Sequence, residues 1–190
     1  MKKKPNRPMD QAVLASVSFG SELDPSALDT PERIIEYFRS QGFIANGCTS
    51  IESAIAANPE LELCFEDLGD NDAYIMKKED SGFKIAVNSR HHKNRQRFSM
   101  AHEYVHYQLH REQIGMKPVG ERILYRNAER NPIEYQANRV AGEILMPHEE
   151  FVALVKETGG NIRGIANIFN VSLEAVRVRA MKLGFVLNGE

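Results

Sequence analysis

The chain has 190 residues, 42% of them hydrophobic, which suits one compact domain, or a domain with a small appendage, and a core that needs no disulfides. A net charge of −2 excludes a whole-chain field that draws in nucleic acid or a membrane surface. Two distant cysteines, Cys48 and Cys64, no basic–apolar leader and no run long enough to cross a bilayer give a cytoplasmic expectation.

Residues 1–28 contain three prolines and a basic cluster, Lys2, Lys3, Lys4 and Arg7, and read as a flexible lead-in. Asp29-Thr30-Pro31-Glu32 is a helix start, with a capping side chain and proline in the first turn. Ile34, Ile35 and Phe38 follow at helical spacing, and Gly42 ends the element. A short helix is expected over 51–57, stopped by Asn58-Pro59. The period then changes to two in 61–65, 73–76 and 83–87, with Glu79-Asp80-Ser81-Gly82 as a hairpin turn between the last two. From Gln96 the helical period returns through Phe98, Ala101, Val105 and Leu109. A loop with Gly115, Pro118 and Gly120 leads to a helix from Asn131-Pro132 to Leu145, stopped by Met146-Pro147. Two or three short helices, broken at Gly159-Gly160 and Asn170, complete the chain. The expected class is α+β, with helices around a small, mostly antiparallel three-stranded sheet. The expected organisation is a lead-in (1–28), a core (29–148) and a C-terminal helical subdomain packed on it (149–190).

The chemistry lies in His102-Glu103-Tyr104-Val105-His106. Two histidines four apart on a helix share a face, so their imidazoles can aim at one zinc ion with bonds of roughly 2 Å. Glu103 projects about 100° round the axis, away from the ligand plane, where a general base belongs. A solvated polar face is the bland alternative, but the apolar neighbours of the motif argue for a buried helix. Catalytic zinc takes a third protein ligand. Glu134 is the best candidate, with Asn138 one turn on placed to hold a ligand imidazole by its ring N–H. His110 lies about two turns beyond His102 and about 80° off the ligand face, so it lines the cleft rather than reaching the ion. His91 and His92 read as a polar loop, and His148 as exposed.

The string Arg95-Gln96-Arg97-Phe98-Ser99-Met100-Ala101-His102-Glu103 through His106, then Glu134-x-x-Ala137-Asn138, then Ile144-Leu145-Met146-Pro147, resembles the ImmA/IrrE family of zinc metallo-endopeptidases. The resemblance spans most of residues 30–185. It implies a gluzin-like site, with His102, His106 and Glu134 on zinc and Glu103 as base. It further implies proteolysis of helix-turn-helix repressors of the Xre type. One departure is Val105, where the family often has glycine.

Peptide hydrolysis also needs a donor for the oxyanion, and Tyr107, His110, Tyr125 and Tyr135 are the candidates. Arg97 is expected to pair with a carboxylate near the active-site helix or to serve a structural ion pair. The alternative reading is a DNA-binding regulator in which zinc is structural or regulatory. It rests on residues 162–182, a helix-turn-helix-like segment with Arg177, Arg179 and Lys182 on its second helix. The neutral charge balance and glycine's absence at Asn170 favour simple packing of these helices. A closed structural zinc site would normally use cysteines, and neither lies near the motif in sequence.

Overall fold

Thr30 and Pro31 open the first helix as the sequence indicates. The Thr30 hydroxyl accepts from the Arg33 amide at 3.3 Å, and α1 runs Pro31–Ser40. The computed structural model describes residues 28–116 and 131–188, so the lead-in 1–27 and the loop with Pro118, Gly120 and Tyr125 lie outside the described residues. Leu28, the last residue assigned to the lead-in, is buried in the main core. A two-stranded ladder not visible in the sequence follows α1, pairing β1 (Ile44–Ala45) with β2 (Cys48–Thr49). Next comes α2, Ile51–Ala56.

The three period-two runs become β3 (Leu61–Glu66), β4 (Ala73–Lys77) and β5 (Phe83–Asn88). Their spatial order is β3-β5-β4. β4 and β5 form the expected hairpin, but β3 lies parallel to β5, so the sheet is mixed. Alternating side chains look the same in either strand direction, so the sequence does not reveal that pairing. Gly82 has φ +77°, and a Cβ there would stand 2.5 Å from the Glu60 carbonyl oxygen, so the hairpin turn and the start of β3 approach too closely for any side chain.

The sheet packs under α3 (Lys93–Leu109), and α4 (Pro132–Leu145) lies along α3. Asn131 caps α4 through its Oδ1, and proline occupies the first turn. Gly142 sits inside α4, where glycine costs about 1 kcal/mol relative to alanine. The place its Cβ would fill is open space. The tail forms α5 (His148–Glu157), α6 (Ile162–Phe169) and α7 (Leu173–Lys182). Asn170 ends α6 in the left-handed conformation, which asparagine tolerates better than other non-glycine residues.

One hydrophobic cluster runs from Leu28 and Phe38 through Ile85, Val105 and Ile144 to Phe151, Phe169 and Ala180. Phe38 makes edge or tilted contacts with Phe43 and Tyr104, and the Phe151 and Phe169 rings stack at 5.9 Å. Truncating a wholly buried phenylalanine such as Phe38 costs about 3–5 kcal/mol. α3 is therefore held in the middle of the molecule, which fixes the orientation of its side chains.

Candidate metal centre

The helix bearing the motif is not simply amphipathic. Residues Ser99 to Val105 are all buried, because sheet, α2 and α4 surround the middle of α3. Polar groups placed there need partners, since unpaired burial is costly. α4 supplies them, with fully buried Ala137 and Ala141 adding little bulk to the helix face turned inward.

The His102 and His106 Nε2 atoms lie 2.9 Å apart. One Glu134 oxygen is 3.2 Å from His102 Nε2 and the other is 3.4 Å from His106 Nε2. An ion with tetrahedral bonds of about 2.0–2.1 Å holds its donors about 3.3 Å apart. The two rings and the carboxylate approach that spacing through different Glu134 oxygens, and one ligand atom from each of the three side chains lies within 4.8 Å of the others, a group able to hold a metal ion.

The far sides of the rings decide what the near sides offer. His102 Nδ1 lies 3.0 Å from the Asn138 Oδ1, which accepts its proton in the tautomer that frees Nε2 for a metal ion. His106 is held through a longer chain. Gln136 Oε1 lies 3.2 Å from His110 Nε2, which therefore carries the proton and donates. His110 Nδ1 is then an acceptor, 3.1 Å from His106 Nδ1, which donates to it. That tautomer frees His106 Nε2 for a metal ion. Burial, ahead of the opposing pull of Glu134, lowers the His106 pKa and favours its neutral form. Burial pushes Glu134 upward, but hydrogen bonding from the His102 and His106 rings, which requires a proton on the Nε2 side, outweighs it and holds the carboxyl far below the ordinary carboxylate range; a metal ion would take that proton's place. Two imidazole Nε2 atoms and a carboxylate thus converge, a donor set able to hold a metal ion. The donor set fits zinc.

Glu103 is buried and lines the same cleft, which is about 210 Å³ and is bounded also by Ile75, His110, Ile114 and Asn131. His110 does line this cleft, but both of its ring nitrogens are engaged. Its role as an oxyanion donor is displaced by that of a support for His106. Tyr107 turns instead toward Phe83, where its hydroxyl meets Asn58 and Glu60. Tyr135 is exposed and lies under the Lys182 ammonium. Neither tyrosine lines the metal cleft, and Tyr125 lies outside the described residues. Gln136 and Asn131 were missed by sequence reasoning. Both sit within three residues of Glu134, and one turn of a ligand-bearing helix was the available signal.

The remaining residues are structural. His92 caps α3 through Nδ1, His91 lies 2.8 Å from Asp72, and His148 is exposed at the start of α5. Among the described residues Arg97 faces backbone carbonyls rather than a carboxylate. It donates to the carbonyls of Thr49 at 2.9 Å, Asn170 at 3.1 Å and Phe169 at 3.4 Å. The two cysteines are free, and burial pushes the Cys64 thiol up to about 11. Val105 is wholly buried in the main core, so the side chain in the family's frequent glycine position fills space behind the motif.

Residues 56–181 match the family described as the IrrE N-terminal-like domain, Peptidase M78. The chain belongs to this family. The IrrE N-terminal-like region runs from the end of α2 into α7 and includes both donor-bearing helices. A search of curated proteins returns no match. Among solved structures the chain is similar to a Mycobacterium tuberculosis transcriptional regulator, with a TM-score of 0.56 and 14% identity. That match covers 84% of this chain and 47% of the other, so this chain spans about half the length of the regulator it resembles. At that identity the likeness concerns the fold alone.

α6, the turn at Asn170 and α7 have the order of a helix-turn-helix. Of the basic side chains on α7, Arg179 is buried and donates to the Met146 carbonyl at 3.2 Å. Lys182 lies over Tyr135, and Arg177 is exposed beside Glu174. No helix among the described residues is long and apolar enough to cross a membrane.

Proposed function

We propose that this member of the IrrE N-terminal-like family is a zinc-dependent endopeptidase acting in the cytoplasm. The observation that carries the reading is the convergence of His102 Nε2, His106 Nε2 and the Glu134 carboxylate, with hydrogen-bond partners at the far nitrogen of each ring. His102, His106 and Glu134 would hold a zinc ion, which would supply Lewis acidity and make a water more acidic there. Glu103, beside the first ligand and in the same cleft, accepts the water's proton and returns it to the leaving amine. Asn138 and the His110–Gln136 pair keep both ligand rings in one tautomer and one orientation. Ile75 and Ile114 make part of the wall apolar, which strengthens each charge inside.

The substrate we assign is a helix-turn-helix repressor of the Xre type, as the family resemblance implies. The structural neighbour's description as a transcriptional regulator is in keeping with a role in transcription. The competing reading, direct DNA binding through α7, is weakened by the inward turn of Arg179. The deciding experiment incubates the purified chain with the repressor encoded beside its gene, with zinc, with a chelator, and with Glu103→Gln. Cleavage with zinc alone supports the proposal. Equal cleavage by Glu103→Gln removes the base assignment, and tight DNA binding lost in Arg177→Ala, without cleavage, favours the rival.

A further inference from the structure

The larger of the two cavities beside α3 and α4 is not at the metal donors. It is a cleft of about 490 Å³ bounded by the first half of α3, the second half of α4 and one side of α7. The pairs His102–Asn138 and His106–Glu134 show that α3 and α4 run in opposite directions. The donors therefore lie toward one end of the α3–α4 groove and this cleft toward the other. The His102–Asn138 pair is the boundary between them. Asn138 lines the cleft, and so does Phe98, whose ring lies 6.5 Å from that of His102.

Two features describe what the cleft accepts. Its walls are apolar, from Phe98, Leu145, Met146 and Val178, and its depth depends on Gly142, whose absent Cβ leaves open space at an interior helix position that disfavours glycine. Its rim is basic. Arg95, Arg139 and Lys182 line it against Glu174 as the acid. Arg95 and Arg139 also pair with Asp72 and Glu143, but Glu143 is shared with Arg179, and Lys182 stands over an aromatic ring. Arg179 also lines the cleft, so four cations, Arg95, Arg139, Arg179 and Lys182, stand against three acids, Asp72, Glu143 and Glu174, an excess of one positive charge. The volume falls in the range of about 300–1,000 Å³ typical of pockets that hold small ligands, enough for a large side chain and part of its neighbours.

We propose that this cleft seats a large apolar side chain of the polypeptide substrate, a few residues from the bond held at the metal donors, with an acidic neighbour facing the basic rim. The proposal rests on the peptidase reading and adds the substrate's sequence preference. Occupancy by leucine, phenylalanine or methionine buries apolar surface against Val178 and Met146. The acidic neighbour excludes the basic segments that the rim repels.

Two arms test it, both with Gly142→Leu, which fills the cleft from a helical position and favours the helix. In the first, zinc-loaded Glu103→Gln protein carrying ¹³C-methyl methionine is titrated with ten-residue glycine–serine peptides bearing a central Leu-Asp or Ser-Lys. The Met146 methyl, assigned through Met146→Leu, shifts saturably with the Leu-Asp peptide only. Gly142→Leu weakens that binding about tenfold or more, as excluding one leucine-sized side chain predicts. In the second, wild type digests a tryptic peptide pool and cut sites are read by mass spectrometry. A large apolar residue recurs at one position, and Gly142→Leu shifts that position to glycine or alanine while thermal stability is kept.

Cleavage by wild type with an unchanged profile in Gly142→Leu overturns the cleft assignment and leaves the peptidase reading standing. Absence of cleavage counts against the peptidase reading, and the methyl titration then judges the cleft on its own. A Met146 methyl indifferent to the Leu-Asp peptide overturns the proposal. So does concentration-dependent self-association abolished by Gly142→Leu, which would give the cleft to a second copy of the chain.

Discussion

The middle of α3 and the α6–α7 pair both carry recognisable functional patterns, yet the fold treats them in opposite ways. On α3 the motif's polar atoms point into a buried cleft, with their outer nitrogens hydrogen-bonded and their inner ones converging with Glu134. On α7 the most prominent basic residue turns inward and spends its donors on a backbone carbonyl, near Glu143. A pattern carries chemistry where the structure leaves reactive groups aimed at a shared empty point. It is architecture where those groups are used up by the fold.

That contrast can be broken by substitution, and the largest effect is expected at the donors. His102→Ala and Glu134→Gln should each reduce bound zinc, measured by elemental analysis, to near background, because a three-donor site loses a third of its ligands. Glu103→Gln should keep full zinc content while peptidase activity falls by about 10²–10⁴-fold, the usual worth of a positioned general base. Persistence of activity would mean the proton goes elsewhere. Asn138→Ala and His110→Ala should each weaken zinc affinity by about 10–100-fold in a chelator competition, with His110→Asn, which keeps an acceptor near Nδ1, recovering part of the loss. On the other side of the comparison, Arg179→Ala should cost about 1–3 kcal/mol in denaturant unfolding by leaving a buried carbonyl and Glu143 short of a partner. Arg177→Ala, exposed beside Glu174, should change stability by less than about 0.5 kcal/mol. If the two arginines behave alike, the distinction between the two regions fails.

Much of the fold was legible because its signals are local. Thr30-Pro31, Asn131-Pro132 and Met146-Pro147 punctuate helices by the side chains and missing amides they bring to the ends. The spacing of His102 and His106 and the position of Glu134 follow from helix periodicity, and the structure places the three together. What stayed hidden depends on which face meets which neighbour. β3 could pair in either direction on its pattern alone, and the Ile44–Thr49 ladder is too short to show a period. His110, 80° from the ligand face by helix geometry, reaches not the donors' meeting point but the back of the second ring. That role requires Gln136 from another helix. Tyr107 and Tyr135 resembled cleft residues in the sequence, and only packing shows that one serves Glu60 and the other the surface.

Arg97 bears on how small a working version of this protein can be. Its guanidinium ties the opening turns of α3 to carbonyls at residues 49, 169 and 170. A fragment ending at residue 148 would keep every metal donor and the adjacent glutamate, yet lose two of the three acceptors that anchor the beginning of the helix. Excising the motif with its immediate surroundings therefore yields a looser scaffold, and the chain at least as far as Asn170 belongs to any minimal unit built from it.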